Sequence, residues 1–279
     1  MSAANPTVLT TADLAAMIPS GAKIAVPPDY SGCAMALVKH LMRRPVRDLH
    51  VVAVPQAGFQ VDQLIGAGCV ARVEAAAVTL GEYGLAPRFT AAIRAGTIEM
   101  WDATCPAIQS ALQASEKGIP FMPHRGIIGS DLLKVRPDWL VIDNPFAERG
   151  RRDPIVLLPA IRPDFAVFHA VKADRNGNVW IGIRRELMLM AHASTETIVT
   201  VEEIVDTDFL ADPALAAGTI PSIYISAIAH EPHGAAPLGI TGVYPSKPEE
   251  LRAYAQAART DDGFSGWFEA HVSRERELA

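Results

Sequence analysis

The feature that most constrains this chain is a set of short segments that are apolar almost throughout: IVLLP at 155–159, DFAVFHA at 164–170 and TIVTV at 197–201. A strand with one wet face alternates apolar and polar residues, whereas a strand covered on both faces does not. Such runs need helices above and below them, and helical periods lie between them. Leu37, Val38, Leu41 and Met42 mark one face of a helix ending near Pro45, placed between a strand at Lys23–Val26 and the strand LHVVAVP. A short helical piece around 61–65 precedes the strand ARVEAAAVTL. Phe89 and Ile93 lie one turn apart on a helix closed by Gly96, and Ile108 and Leu112 do the same on a helix closed by Gly118. Thr11 is expected to cap a short helix running to Met17. This alternation predicts an α/β fold with an open, mainly parallel sheet.

With 279 residues, 49% of them apolar, the chain can bury a large core, and one domain spanning 1–279 is expected. The polar loop NPFAERGRRDP at 144–154 then reads as an exposed insertion, with βα-type runs expected to resume directly after it. KPEELRAYAQAAR and GFSGWFEAHV predict two amphipathic helices near the C-terminus. A net charge of −6 and scattered arginine pairs argue against nucleic-acid binding and for small-molecule or protein partners. Cys33, Cys69 and Cys105 form no C-x-x-C, which excludes a zinc ribbon and fits a reducing, cytoplasmic setting. The N-terminal MSAANPTVLTTADL lacks the basic and apolar regions of a leader, and no uncharged run is long enough to span a bilayer, so a soluble protein is expected.

Several motifs look chemical. GAGCVA at 66–71 satisfies G-x-G-x-x-A, but a helix precedes it and a strand follows, the reverse of a dinucleotide loop, so it reads as a helix C-cap. GFSGW lacks the spacing of a nucleophile elbow, and Pro232 keeps His230 and His233 off one helical face, so no metal site is expected. PFMPHRGIIGSDL is expected to place Arg125, Gly129 and Ser130 at the carboxyl end of a strand of the parallel sheet, where such folds bind ligands. There Arg125 could hold a carboxylate or phosphate, or be a solvated loop residue. GEYGLAPRF sets Glu82 in a glycine-flanked turn, either as a plain turn residue or as the chain's candidate catalytic carboxylate. HAVKADRNGNVWIG holds a charged turn between two apolar segments, with Asn176-Gly177 as the turn signal.

Taken in order, GAKIAV, GEYGLAPRFTAAIRAGTIE, IPFMPHRGIIGSDL, LLPAIRPDFAVFHAVKADRNGNV and AIAHEPHGAAP with Tyr244 beyond it resemble the A (alpha) subunit of family I coenzyme A transferases, in the glutaconate CoA-transferase-like branch. The resemblance implies a Rossmann-like subunit with helices on both faces of the sheet, paired with a B subunit, in an α2β2 assembly, with the active site in the cleft between them. It implies acyl-CoA and small carboxylic acids as substrates, CoA as a substrate rather than a bound cofactor, and no tightly bound cofactor. The nucleophilic glutamate is implied on the B subunit. KADRNGN is then the family's strand-connecting turn.

Two departures bear on the chemistry. Where the family often has a glycine-rich loop after the first strand, this chain reads PPDYSG, and prolines have no N–H to offer an oxyanion, which leaves Ser31 and Gly32 as the expected donors. Related A/B pairs that cleave steroid rings hydrolytically look to depend on a glutamate after G-x-I-E. Here that stretch continues MWDATC, with Asp102 and Cys105 in the neighbourhood. The alternatives to a transferase are therefore such a hydrolase, or a binding paralogue without chemistry.

Overall fold

In the computed structural model, which describes residues 6–273, eight parallel strands form one path. The leader-free reading of the N-terminus concerns in part residues 1–5, which lie outside the described residues. The strands are β1 (Thr7–Leu9), β2 (Lys23–Val26), β3 (Leu49–Ala53), β4 (Val70–Ala75), β5 (Glu99–Asp102), β6 (Phe165–Asp174), β7 (Glu196–Val205) and β8 (Ala227–His230). They lie in the order β1-β8-β7-β6-β2-β3-β4-β5. β2 runs in register with β3, Lys23 opposite His50, while Phe165 of β6 lies opposite Ile24 on the other side.

Packing explains the apolar runs. On β2, Ile24 and Val26 join one buried cluster and Ala25 the other; on β6, Phe165 and Val167 join the first, Ala166, Phe168 and Ala170 the second. Successive side chains point to opposite faces, and both faces are covered. Each large apolar side chain removed from water contributes roughly 1.5–3 kcal/mol before entropy is charged. One face is covered by helices α1 (Thr11–Met17), α2 (Met35–Arg43) and α3 (Phe59–Gly66), and the other by α5 (Cys105–Glu116) and α6 (Arg185–Ala193). Between α3 and α5 comes α4 (Pro87–Ala95), and the chain closes with α7 (Pro248–Ala257) and α8 (Asp261–Phe268). α4 ends at Gly96, whose φ of 65° is the left-handed cap the sequence calls for. α1 is capped by Thr10 rather than Thr11: the Thr10 hydroxyl oxygen accepts from the Asp13 N–H at 3.1 Å, and Thr11 instead donates to Glu231. No helix among the described residues is long and apolar enough to cross a membrane.

The parallel reading fails between residues 121 and 159. Phe121–His124, Pro154–Pro159 and Leu140–Asp143 form a separate antiparallel sheet with the 154–159 strand in the centre. Val156 and Leu158 are buried against the α5 face, whereas Leu157 is half-buried and Pro159 exposed. A five-residue apolar run fits such a strand as well as a parallel one. The loop at 144–154 is accordingly the connection between two antiparallel strands, and βα units do not resume directly after it.

The charged turn after β6 is structural. Asp174 is buried; its Oδ1 accepts from the N–H groups of Asn176 and Asn178, both at 2.9 Å, and its Oδ2 accepts from Asn178 Nδ2 and the Phe209 N–H. Asn178 Oδ1 in turn accepts from the Ser222 N–H at 2.9 Å. A fully satisfied buried carboxylate of this kind fixes the hairpin that returns the chain to Val179–Trp180, antiparallel to β6.

Candidate functional site

The site lies where the parallel strands end. β2 runs out into the PPDYSG loop, β3 leads into Gln56–Ala57, and Ala77–Val78, paired parallel with it, leads into the helical turn Gly81–Tyr83. Together with residues 238–246 these segments enclose a cavity of ≈590 Å³, lined among others by Asp29, Tyr30, Glu82, Thr241 and Tyr244. A second cavity of ≈250 Å³ shares Tyr30 and Thr241 with the first and is lined by Ser31, Gly32, His169 and Arg184, among others. The two cavities thus adjoin at Tyr30 and Thr241.

Glu82 sits in a turn made by Thr79, whose hydroxyl oxygen accepts from the Gly81 N–H at 3.2 Å and whose hydroxyl donates to the Gly84 carbonyl at 3.3 Å. The side chain is both exposed and on the wall of the larger cavity. Burial and a hydrogen bond to the Glu82 carboxylate push the neighbouring Tyr83 phenol up. Opposite, Asp29 accepts from the Phe59 N–H at 3.2 Å, yet its burial pushes its carboxyl up to about 6. The PPDYSG segment therefore places in the cleft wall an acid whose carboxyl burial raises to about 6.

Ser31 and Gly32 differ sharply. The Ser31 N–H donates to the Pro28 carbonyl at 2.9 Å and its hydroxyl donates to Glu186, so both its donors are taken, contrary to the expectation that it could serve an oxyanion. Gly32 has a φ of +77°, its carbonyl accepts from the His169 N–H at 2.7 Å, and a Cβ there would overlap the His169 carbonyl oxygen. No acceptor for the Gly32 N–H is found among the described residues. Only glycine fits this close approach.

Beneath the trough, His169 Nε2 lies 2.6 Å from Glu202 Oε1 and Nδ1 lies 2.8 Å from Thr200 Oγ1. The Tyr244 hydroxyl donates to the same Oε1, and the His233 N–H donates to Oε2, each at 2.6 Å. Burial opposes the charged form of Glu202, but hydrogen bonds from His169, Tyr244 and the His233 amide outweigh it and hold the carboxyl at about 2. The Tyr244 phenol is raised well above its usual range by burial and by Glu202. Neither group exchanges a proton near neutral pH; the network fixes the segment that walls the cleft. His233 contributes its backbone to this network. Among the described residues no group of three or more His, Cys, Asp or Glu is placed to hold a metal ion.

Arg125, Gly129 and Ser130 do not join this trough. Phe121–His124 is an edge strand of the antiparallel sheet, so the loop after it is not at the carboxyl end of a parallel strand. Arg125 makes a two-pronged pair with Asp153, Nη2 to Oδ2 at 2.8 Å, and Asn144 Nδ2 donates to the same carboxylate at 2.7 Å. Gly129 supplies a positive-φ turn, and Ser130 donates its N–H and hydroxyl to the Ile127 carbonyl. None of the three lines either cavity, nor do Asp102 and Cys105, exposed at the end of β5 and the start of α5. The residues that sequence reasoning passed over are Tyr30, Asp29, Thr241 and Arg184. The first two lie in the PPDYSG loop, where the loss of two amides is the more obvious signal; Arg184 and Thr241 belong to no local pattern.

The sequence model of the coenzyme A transferase family matches residues 8–231. The A chain of a 3-oxoadipate CoA-transferase of Pseudomonas knackmussii is 30% identical over 246 residues, covering 86% of this chain and 83% of the relative. A cholesterol ring-cleaving hydrolase subunit of Mycobacterium tuberculosis is also 30% identical, over 250 residues, with coverage of 86% and 83%. An uncharacterised protein of Archaeoglobus fulgidus is 31% identical over 244 residues, which is 86% of this chain, but the chain spans only 53% of that relative. The crystal structure of glutaconate coenzyme A-transferase from Acidaminococcus fermentans matches with a TM-score of 0.87 at 28% identity, covering 97% of this chain and 90% of that one. The parallel sheet, the trough at its carboxyl end and these likenesses agree: the chain belongs to the coenzyme A transferase family.

Proposed function

We propose that the chain works as the A (alpha) subunit of a heteromeric CoA-transferase that moves CoA from an acyl-CoA to a small carboxylic acid. The observation that carries this is the pair of adjoining cavities at the strand ends, one lined by Glu82 and the other by Gly32, with Tyr30 and Thr241 lining both. The nucleophile comes from a glutamate of the B subunit. Its carboxylate forms a C–O bond to the thioester carbon as the C–S bond breaks, and the CoA thiolate leaves. The thiolate then attacks the glutamyl carbonyl of the anhydride, freeing the first acid, and the acceptor acid reverses both steps. No water is consumed and no net proton moves. The Gly32 N–H donates to the carbonyl oxygen as charge develops on it. Glu82 is the catalytic carboxylate this chain sets against the substrate, and its task in transfer is orientation.

The reading carries with it an α2β2 assembly in the cytoplasm, a single domain, and CoA as substrate without a tightly bound cofactor. Arg125, Gly129 and Ser130 would take part only if the B subunit closes over the antiparallel unit. Hydrolysis is the second reading, favoured by the exposure of Glu82: attack by water needs a base, which transfer does not. Co-expression with a B subunit, followed by incubation of an acyl-CoA with radiolabelled acetate or glutarate, separates the two. Transfer predicts label in the CoA ester. Hydrolytic opening of a cyclic acyl-CoA with its thioester intact, and no label incorporated, assigns the ring-cleaving hydrolase.

A further inference from the structure

A third cavity lies away from the cleft, in the seam between the parallel sheet and the antiparallel unit. It measures ≈200 Å³ and shares no lining residue with the two cleft cavities. Lys23, the first residue of β2, lines it at the opposite end of that strand from the PPDYSG loop. Glu74 of β4, two strands away, lines it together with Arg136 and Asp138, while Ile108 of α5, Leu158 and Ile161 supply apolar surface. The charged side chains of the wall are thus two of each sign, and they are unequally engaged. Arg136 is fully taken up by its neighbours: Nε and Nη2 donate to Asp138 at 2.9 and 2.8 Å, Nη2 to Glu74 at 2.8 Å, and Nη1 to the Asp102 carbonyl at 3.2 Å. One guanidinium serves two carboxylates, so this group keeps a formal negative charge in excess. The balancing cation, Lys23, makes no ion pair among the described residues, and the neighbouring Asp164 accepts from its backbone N–H at 2.7 Å. His50 Nε2 lies 3.4 Å from Glu74 Oε2 without a hydrogen bond, and His50 does not line the cavity.

We propose that this cavity binds a small aliphatic α-amino acid, its carboxylate paired with Lys23, its ammonium with Asp138 and its side chain against Ile108, Leu158 and Ile161. Charge argues for a zwitterion. A plain carboxylate would answer Lys23 but would face the excess negative charge of the Glu74–Arg136–Asp138 group, and a plain amine would answer that group but face Lys23. A ligand carrying both signs satisfies each and leaves the cavity neutral. Asp138 is the carboxylate within reach, because its side chain is 26% exposed whereas that of Glu74 is 2% exposed. Size points the same way: ≈200 Å³ falls below the range of about 300–1,000 Å³ typical of larger ligands. Bound there, the amino acid joins β2 to the segment that leads into the antiparallel unit, so it should stabilise the seam, and this does not depend on the transferase reading of the cleft.

The test titrates the full chain with L-valine, with 3-methylbutanoate, which lacks the ammonium, and with isobutylamine, which lacks the carboxylate. Calorimetry reads binding, and indole fluorescence reads its place, because Trp101 and Trp139 line the cavity. Valine should bind with a Kd on the order of millimolar, as suits so small a ligand, and the other two on the order of tenfold more weakly. Lys23→Met should weaken valine and 3-methylbutanoate on the order of tenfold without weakening isobutylamine, and Asp138→Asn should weaken valine and isobutylamine without weakening 3-methylbutanoate. Lys23 makes no side-chain bond that the fold needs, so its variant decides the matter even if Asp138→Asn loosens Arg136. Absence of saturable valine binding at millimolar concentration overturns the proposal. So does 3-methylbutanoate binding as tightly as valine, which would make the cavity an anion site. A valine affinity that moves less than about twofold in Lys23→Met overturns it as well, by placing the amino acid elsewhere.

Discussion

Two regions of this molecule carry comparable polar loops and use them differently. At the carboxyl ends of β2, β3 and β6 the groups are tied together from below, Glu202 to His169, Tyr244 and His233, while Glu82 lines the larger cavity and Gly32 and Arg184 line the smaller one. In the antiparallel unit, the loop at 125–130 satisfies itself: Arg125 pairs with Asp153, and Ser130 with Ile127. The difference lies in support. Parallel strands covered on both faces end in loops that cannot all fold back on themselves, whereas an antiparallel hairpin has partners across its own connection.

The sharpest test of this division is the seam between the regions. Arg136 of the antiparallel unit is buried, donates to Glu74 of β4 at 2.8 Å and to Asp138, and lies against the rings of Trp101 and Trp139. Arg136→Met leaves Glu74 buried without its cation and should cost about 3–5 kcal/mol in urea unfolding. A loss near zero would mean that the two regions are energetically independent.

Gly32 comes next. Gly32→Ala must place a side chain at φ +77° against the His169 carbonyl, and should cost about 1–3 kcal/mol and abolish transfer. Full activity in this variant would remove the loop from the oxyanion role.

The pH dependence distinguishes the supporting network from the cleft wall. Glu202 lies at about 2 in the folded chain against an ordinary 4.5, so its contribution is complete above 4.5 and is lost as pH falls toward 2. Asp29 has the opposite sign. Its carboxyl is raised from 3.8 to about 6, so stability declines as pH rises from 3.8 through 6 and is level above that. Glu202→Gln should make the acid limb shallower and cost about 1.5–3 kcal/mol at neutral pH, the worth of a hydrogen bond to a charged group, while Asp29→Asn should make the limb around pH 5 shallower without removing it, because Asp62 is also raised to about 6. Urea midpoints measured from pH 3 to about 8 read both. Unchanged limbs would show that the two carboxyls are solvated in the folded protein.

Much of the sheet was legible because burial on both faces leaves a direct mark on composition: β2, β3, α2 and α5 lie where the periods put them. The antiparallel unit was not, since the apolar run at 155–159 carries no record of strand direction. In the site, the turn around Glu82 and the glycine at 32 could be read from local pattern. Arg184 could not, because what sets it apart is its place in the smaller cavity, and that is a property of the folded neighbourhood. Arg125 was misleading for the same reason: its partner, Asp153, lies 28 residues away.

The smallest expected effect belongs to Arg125. Its guanidinium already has a carboxylate held in place by Asn144, and hydrogen bonding to Arg125 and Asn144 keeps the Asp153 carboxyl down at about 2. An exposed pair of this kind contributes little to stability, because water and salt screen it and ordering two side chains opposes it. Any substrate anion would have to displace Asp153 before it gained anything from Arg125. Arg125→Ala should therefore leave KM and kcat of the complex within about twofold. A large rise in KM for CoA or for the acid would break the comparison. It would mean that the B subunit opens the Arg125–Asp153 pair on assembly and that the antiparallel unit forms part of the cleft.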